Sequence, residues 1–316
     1  MSIAALFPGQ GSQSVGMLAG LLAAEPVAAA TLEEAGEALG YDLAALLRDG
    51  PVERLNQTEI TQPAMLAVGV AAWRAWQANG GRMAAAMAGH SLGEYSALVC
   101  AGSIDFADAL RIVQLRGRKM QEAVPQGAGA VAAVLGLDDD GVKQACAAAA
   151  AEGGVVEAVN FNAPGQVVIA GDSKAVERAI EQAQAAGARR AMILPVSVPV
   201  HCALMDPVGA QLEEALHAID VRPPTVPVYH NIDAAPRTSA DEIRTALARQ
   251  VHRPVLWVEC VQAMQRAGAT MMIEFGPGKV LCGLARRIDR ALTALPVEDT
   301  ATLAAAIEAT GGAQHA

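Results

Sequence analysis

The stretch GHSLG at residues 89–93 constrains the fold more than any other feature, because the hydrophobic pattern differs on its two sides. A short apolar run at residues 83–88 precedes it, and apolar positions recur at helical spacing from Glu94 onward. This order predicts a buried strand, a tight turn and a helix. A second apolar run, IAALF at residues 3–7, is closed by Pro8 and Gly9. The sequence therefore predicts an α/β fold whose large domain has a mostly parallel sheet flanked by helices, an α/β-hydrolase-like core.

Between residues 130 and 195 the pattern changes to strand, helix, strand, strand, helix, strand. The strands are expected at 130–135, 155–159, 166–170 and 191–195, and the helices at 138–151 and 173–186. This βαββαβ order is typical of the ferredoxin-like arrangement. We therefore predict a small inserted ferredoxin-like subdomain at residues 126–196 and a large catalytic domain formed by residues 1–125 and 197–316. The Ala-rich tail after Thr300 is expected to fray.

Composition and charge exclude several classes of protein. The 316 residues are 53% hydrophobic, and no apolar run approaches the ~20 residues of a membrane span. No basic region precedes an apolar stretch at the N-terminus, so we expect a cytoplasmic protein. The five cysteines are widely spaced, which favours neither a zinc site nor a disulfide framework. The net charge of −10 disfavours an extended nucleic-acid surface, although an acidic protein could still bind a local basic patch.

Ser91 is the candidate nucleophile. GHSLG fits the G-x-S-x-G pattern of a nucleophile elbow, in which a strained turn between strand and helix exposes the serine beside backbone N–H groups. Gly89 and Gly93 give such a turn the clearance it requires. The alternative is a glycine-rich turn with an ordinary surface serine.

His201 is the candidate base among six histidines. It follows the segment VPV, where an apolar run breaks at Pro199, and this placement suits a loop at the rim of a sheet. The alternative is a histidine whose hydrogen bonds are satisfied in the core and which has no catalytic role.

The loop GQGSQ at residues 9–13 follows the first predicted strand. Ser14 stands where a dinucleotide-binding G-x-G-x-x-G motif requires glycine, so that interpretation fails. The other interpretation is an oxyanion loop, which would present one backbone N–H beside the N–H of the elbow.

Arg116 and Met120 share one face of a predicted helix with Ile112 and Val113 nearby. Because that face is apolar, an arginine on it would need a carboxylate partner. Arg118 and Lys119, by contrast, are expected on the solvated face.

The larger blocks resemble one family along nearly the whole chain. They are FPGQGSQ at 7–13, TQPA at 61–64, GHSLGEYSAL at 89–98, the helix with Arg116 and Met120, NFNAPGQVVIAG at 160–171, VSVPVHC at 196–202 and EFGPGKVL at 274–281. Together they resemble the malonyl-CoA:acyl carrier protein transacylases of bacterial fatty-acid synthesis, which are related to polyketide acyltransferase domains.

The resemblance implies a role for each matching residue. Ser91 would be malonylated with His201 as base, and a backbone carbonyl at Gln250 would orient the histidine in place of a carboxylate. The backbone N–H groups of Gln10 and Leu92 would form the oxyanion hole. Arg116 would bind the free malonyl carboxylate, with Met120 and Val200 also at the substrate site. Val200 stands where related enzymes often carry Ser or Phe. This difference affects the expected shape of the acyl pocket and leaves the expected reaction unchanged.

The resemblance also implies partners. The substrate would be the thioester malonyl-CoA and the acceptor an acidic acyl carrier protein, with no bound cofactor and no metal. An acidic enzyme must offer such a carrier a local basic patch, for which the candidates are Arg189, Arg190, Lys279, Arg286 and Arg287.

Three alternatives remain open from the sequence. A lipase or esterase would use the same elbow, but such enzymes place Asp or Glu before the histidine and carry an HGGG-type oxyanion loop. A non-catalytic module would bind the carrier protein and tolerate loss of Ser91. The malonyl transferase of a malonate decarboxylase, or a trans-acting polyketide acyltransferase, would share the chemistry and differ in the acceptor.

Overall fold

The computed structural model describes residues 2–125, 127–196 and 198–311. Its strands are β1 Ile3–Phe7, β2 Ala86–Gly89, β3 Gly129–Leu135, β4 Val156–Ala163, β5 Gln166–Asp172, β6 Arg190–Ile193, β7 Val228–Tyr229, β8 Met271–Phe275 and β9 Thr293–Val297. Its α-helices are α1 Ala19–Ala24, α2 Pro26–Leu39, α3 Leu43–Asp49, α4 Val52–Leu55, α5 Thr58–Ala78, α6 Gly93–Cys100, α7 Phe106–Ala123, α8 Asp139–Ala151, α9 Ser173–Ala185, α10 Asp206–His217, α11 Ala240–Gln250, α12 Trp257–Arg266, α13 Val280–Ile288 and α14 Thr300–Thr310.

The large sheet has the strand order β7-β2-β1-β8-β9, and every adjacent pair is parallel. All five residues of β1 are buried, and they alternate between two hydrophobic clusters: Ala5 and Phe7 pack on one face, Ala4 and Leu6 on the other. Such a sheet is covered on both faces, which is why its strands are continuous apolar runs. The predicted α/β core is confirmed.

The carboxyl ends of β1 and β2 lie side by side, with Phe7 paired to Gly89. The loops that follow these two strands therefore leave the sheet at the same edge, where ligands bind in open α/β sheets. This pairing brings residues 8–13 to the elbow at residues 89–93.

The small sheet is antiparallel and has the order β4-β5-β3-β6. Helices α8 and α9 pack on one face, and the other face packs against Cys202, the neighbour of His201. The predicted ferredoxin-like βαββαβ arrangement is confirmed. The division into domains stays a prediction, and its boundary residues Gln126 and Ser197 lie outside the described residues.

The tail is more ordered than the sequence suggested. Residues 300–310 form α14, whose first turn has a capping box: the Asp299 carboxylate accepts from Thr302 N–H at 2.7 Å, and the Thr302 side chain reciprocates. Leu303 and Ala306 are buried against the rest of the chain. The expectation of fraying is therefore wrong for this segment, and residues 312–316 lie outside the described residues. No helix among the described residues is both long and apolar enough to cross a membrane.

Candidate active site

The elbow holds Ser91 in a strained conformation at the end of β2. Ser91 has φ of 52°, in the left-handed region that side chains rarely adopt. A Cβ on Gly89 would lie 1.8 Å from the carbonyl carbon of Gly93, and one on Gly93 would lie 2.0 Å from Phe7 O. Only glycine fits either position. The His90 N–H donates to Phe7 O at 2.9 Å, which fixes the elbow on the end of β1.

Ser91 and His201 form a hydrogen-bonded pair, with Oγ 2.7 Å from Nε2. The other ring nitrogen, Nδ1, lies 2.8 Å from the Gln250 carbonyl and 3.2 Å from the Arg253 carbonyl. Two carbonyl acceptors require a proton on Nδ1, which leaves Nε2 free to accept the serine proton. The His201 backbone N–H donates to Val251 O at 2.9 Å, so the ring and its backbone are both fixed on the segment after α11.

His201 is almost fully buried, with 1% of its surface exposed. Burial and the positive charge of Arg116 lower its pKa to about 3. The imidazole is therefore neutral over the physiological range, as a general base requires. No carboxylate lies within salt-bridge distance of His201 in the described part of the chain.

The loop after β1 packs directly on the elbow. A Cβ on Gly9 would lie 2.5 Å from His90 O, so only glycine allows this approach. The Ser91 N–H is already used, because it donates to Asn231 Oδ1 at 2.7 Å. Within the described residues, no protein group accepts from the backbone N–H of Gln10 or of Leu92. These two N–H groups are thus left available to a ligand.

Arg116 is a buried cation with neutral partners. Its side chain is 1% exposed, and burial lowers its pKa. Nη1 donates to Gln62 Oε1 at 2.9 Å, and Nη2 donates to Gln250 Oε1 at 3.1 Å and to Ser91 Oγ at 3.3 Å. Among the described residues no carboxylate lies within 4 Å of the guanidinium, and Nε has no partner. The carboxylate expected from the sequence is not supplied by these residues, so the site is suited to an anionic ligand.

Met120 contacts a partner of Arg116, and Val200 directly precedes His201. Met120 is buried, and its Sδ is 3.3 Å from Nε2 of Gln62, which turns Gln62 Oε1 toward Arg116. Val200 is half-buried in the turn before His201 and packs against the main core.

Known proteins are similar in sequence to this chain over nearly its whole length. Residues 5–308 match the family model described as the acyl transferase domain. The chain belongs to the acyl transferase family. It is 56% identical over 303 residues to the malonyl CoA-acyl carrier protein transacylase of Escherichia coli strain K12, covering 96% of this chain and 98% of the relative. It is 43% identical to the enzyme of the same name from Bacillus subtilis strain 168, covering 97% and 96%.

Solved structures of the family superpose closely on this acyl transferase. A type II PKS acyl-carrier protein in complex with its malonyl-transacylase matches with a TM-score of 0.96 and 53% identity, over 98% of this chain and all of that one. An acyl carrier protein S-malonyltransferase from Vibrio cholerae matches with a TM-score of 0.94 and 54% identity, over 96% and 99%.

Sequence reasoning missed several polar residues that surround Ser91 in this acyl transferase. Gln62 lies on α5, Glu94 on α6, and His230 and Asn231 directly follow β7; all four are buried. His90 Nε2 lies 2.8 Å from Asn162 Oδ1 on β4, which ties the elbow to the small sheet. One signal was available, because polar residues that follow a strand in a parallel sheet belong to its functional edge.

The basic candidates of the acyl transferase separate into two groups. Arg287 donates to Gln166 at the start of β5. Gln166 is paired with Leu135 on β3, and Leu135 is paired on its other side with Arg190 on β6. Arg189 adjoins Arg190, so these three arginines lie at one end of the small sheet. Lys279 instead pairs with Glu298 at 3.3 Å, and Arg286 donates to Ala294 O at 2.6 Å.

Metal-ligating side chains are not clustered in the described part of the chain. In residues 2–125, 127–196 and 198–311, no group of three or more His, Cys, Asp or Glu side chains is arranged to hold a metal ion.

Proposed function

We propose that this chain transfers the malonyl group of malonyl-CoA to the phosphopantetheine thiol of an acyl carrier protein through a malonyl-Ser91 intermediate, and so supplies fatty-acid chain elongation. The observation that carries the proposal is Arg116. A buried guanidinium with no carboxylate partner among the described residues lies 3.3 Å from the Ser91 hydroxyl, where an acyl group on that serine must extend. An acyl group that ends in a carboxylate supplies the missing charge.

Loading begins with proton transfer from Ser91 Oγ to His201 Nε2, which are 2.7 Å apart. Oγ attacks the thioester carbonyl of malonyl-CoA, and the negative charge that develops on the carbonyl oxygen is stabilised by the N–H groups of Gln10 and Leu92. As the tetrahedral intermediate collapses, the carbon–sulfur bond breaks and His201 returns the proton to the CoA thiol. The Gln250 and Arg253 carbonyls stabilise the imidazolium that exists between these steps.

Transfer repeats the sequence with a second thiol. After CoA leaves, the phosphopantetheine thiol gives its proton to His201 and attacks the malonyl-serine ester. The bond to Oγ breaks, the proton returns to Ser91, and malonyl leaves on the carrier protein. This is a ping-pong cycle whose two substrates are the thioester malonyl-CoA and the thiol of the carrier protein.

Arg116 also accounts for substrate choice. The malonyl carboxylate can pair with the guanidinium, whereas an acetyl group leaves a buried cation without a counter-charge. Met120 is proposed to act through Gln62, whose amide it orients, and Val200 to border the acyl pocket beside His201.

The carrier protein is proposed to bind near the end of the small sheet. Arg189, Arg190 and Arg287 are exposed there, and an acidic partner requires such a local cluster on a chain of net charge −10. Lys279 and Arg286 are exposed as well, but they lie outside this group of three arginines, and Glu298 partly neutralises the charge of Lys279. Residues 126–196 would form an inserted domain that carries part of this surface. The cytoplasmic location stays a prediction.

The decisive experiment is intact-mass spectrometry after incubation with malonyl-CoA. The wild-type chain should gain one malonyl group, and Ser91→Ala should gain none. Addition of holo carrier protein should then remove the label from the enzyme and place it on the carrier.

Rapid release of free malonate without a labelled protein would contradict the proposal and favour a hydrolase. Transfer that is unaffected by Ser91→Ala would favour a non-catalytic carrier-binding module. Because one solved neighbour is described with a type II PKS carrier protein, fatty-acid and polyketide carrier proteins should be compared as acceptors.

A further inference from the structure

The proposed mechanism makes no use of Glu94, a carboxylate with none of its surface exposed. Glu94 lies in the first turn of α6, three positions after the nucleophile. Its Oε1 is 2.7 Å from His230 Nδ1, and its Oε2 accepts from the Asn231 backbone N–H at 2.8 Å and from Gln250 Nε2 at 3.0 Å. Burying a carboxylate is costly unless it is fully hydrogen-bonded, and here both oxygens have partners.

Two residues held by Glu94 in turn hold the peptide groups of Ser91. Asn231 Oδ1 accepts from the Ser91 N–H at 2.7 Å, and Asn231 Nδ2 donates to Gly89 O at 2.8 Å. Gln250 Nε2 donates to the Ser91 carbonyl at 2.9 Å. One amide side chain therefore binds the N–H of the nucleophile, a second binds its carbonyl, and both are fixed on one carboxylate.

This convergence matters because Ser91 has φ of 52°. A non-glycine residue in the left-handed region is strained and persists only where its surroundings fix it. A relaxed backbone at Ser91 would move Oγ away from His201 Nε2 and away from Arg116. Gln250 Oε1 also accepts from Arg116 Nη2 at 3.1 Å, so the same amide fixes one edge of the guanidinium.

We infer that Glu94 is a positioning residue: its carboxylate holds Asn231 and Gln250 in the geometry that keeps Ser91 strained and aligned with His201 and Arg116. The inference rests on the proposed malonyl transfer. The other carboxylate oxygen of Glu94, Oε1, is held by Nδ1 of His230.

Two substitutions separate geometry from charge. Glu94→Asp keeps the charge but withdraws the carboxylate by about one carbon–carbon bond, ~1.5 Å, so that it cannot reach Asn231 and Gln250 together. Glu94→Gln keeps the length and removes the charge. Its amide oxygen can accept from Asn231 and Gln250, while its NH₂ donates to His230 Nδ1 if that ring carries its proton on Nε2.

The test measures the single-turnover rate of malonyl-Ser91 formation by rapid quench and intact mass, together with the KM for malonyl-CoA. Glu94→Asp should load about 100-fold more slowly with little change in KM, because misplacement of the reacting atom lowers the rate more than binding. Glu94→Gln should stay within about fivefold of wild type, the cost of one weakened hydrogen bond. Asn231→Ala, which removes the acceptor of the Ser91 N–H directly, should be slow like Glu94→Asp and serves if the aspartate variant does not fold.

The matched control is Glu274→Asp. Glu274 is equally buried and accepts two backbone N–H groups, from Leu281 at 3.1 Å and Cys282 at 2.8 Å, and among the described residues it has no hydrogen bond to the elbow. This variant should lose thermal stability and keep its loading rate.

A folded Glu94→Asp enzyme that loads at the wild-type rate would overturn the inference, as would a Glu94→Gln enzyme as slow as Glu94→Asp, which would make charge the deciding property. Failure of the wild-type chain to accept malonyl at all would instead refute the proposed function.

Discussion

Nη2 of Arg116 lies 3.3 Å from Oγ of Ser91, so the proposed nucleophile contacts a buried cation as well as the imidazole of His201. The two residues are 25 positions apart, on α7 and on the elbow. Because the described residues supply no carboxylate to this guanidinium, the contact links the identity of the acyl group directly to the reacting atom.

Replacement of Arg116 should change selectivity more than it changes chemistry. Arg116→Ala is expected to lower kcat/KM for malonyl-CoA on the order of 10²–10³-fold, because a charge-assisted pair with the malonyl carboxylate is lost. Acetyl loading should fall far less, so that the preference for malonyl disappears. Competition between malonyl-CoA and acetyl-CoA, read by intact mass, measures the ratio. If Arg116→Ala still preferred malonyl-CoA to acetyl-CoA, the malonyl carboxylate would have to bind at another residue.

Gln62→Glu should give Arg116 an internal counter-ion. Gln62 Oε1 already accepts from Nη1 at 2.9 Å, so a carboxylate there pairs with the guanidinium without movement. The malonyl carboxylate would then meet a neutralised pair and a second negative charge, and malonyl loading should fall at least tenfold while acetyl loading is maintained or rises. Gln62→Met, which adds no charge, should keep the malonyl preference and is the control.

The loading rate should be insensitive to mild acid. His201 must be neutral to accept the serine proton, and burial with Arg116 nearby lowers its pKa to about 3. The kcat/KM for malonyl loading reports the free enzyme, so it should stay flat between pH 8 and pH 5 instead of falling near the ordinary histidine pKa of about 6.5. Stopped-flow measurement of CoA release across this range tests it, and an acid limb centred near pH 6.5 would contradict it.

The same lowered pKa should make the fold weaker in acid. In the unfolded chain His201 binds a proton near pH 6.5, whereas in the folded chain it does so only near pH 3. Its contribution to the free energy of unfolding is therefore complete above pH 6.5 and is lost progressively as the pH falls below that value. Urea denaturation of wild type and His201→Asn at several pH values measures the difference, and the variant should show a shallower loss in acid.

Charge reversal at the end of the small sheet should act on the second half of the reaction only. The double change Arg190→Glu and Arg287→Glu is expected to raise the KM for the carrier protein at least tenfold while malonyl loading stays unchanged. Arg48→Glu, on α3 with 68% of its side chain exposed, is a single charge-reversal control that should leave both steps unaffected. Unchanged carrier kinetics in the double variant would remove this surface from the proposal.

The elbow glycines should be intolerant of a methyl group. Gly93→Ala would place a Cβ 2.0 Å from Phe7 O, and we expect a loss of about 3–5 kcal/mol in the free energy of unfolding together with loss of loading. Gly283→Ala is the matched helical control, because a Cβ at this position of α13 would meet no atom within 4 Å. That variant should be more stable by about 0.5–1 kcal/mol. Equal melting temperatures for Gly93→Ala and Gly283→Ala would contradict the packing argument.

Local pattern was enough to predict most elements. The run that became β1 is continuous and apolar, and the turn at Pro8-Gly9 closes it. β9 was not predicted, because TALPV has a proline and an exposed first residue, and its strand conformation depends on pairing with β8. The helix α14 depends on a cap at Asp299 and on burial of Leu303, of which only the first is visible in sequence.

The sequence by itself predicted the strained turn and Ser91 as the candidate nucleophile, because such a turn demands particular residue types: glycine at 89 and 93, and serine between them. The longer sequence blocks carried the resemblance to one family. His201 was a candidate from its sequence context, and Gln250 followed from the resemblance alone. Only the tertiary structure decided that Arg116 has amide partners and no carboxylate among the described residues, and that Glu94 holds Asn231 and Gln250. The pairs Arg116–Gln62 and Glu94–Asn231 are separated by 54 and 137 positions, and hydrogen bonds over such distances leave no local pattern in a single sequence.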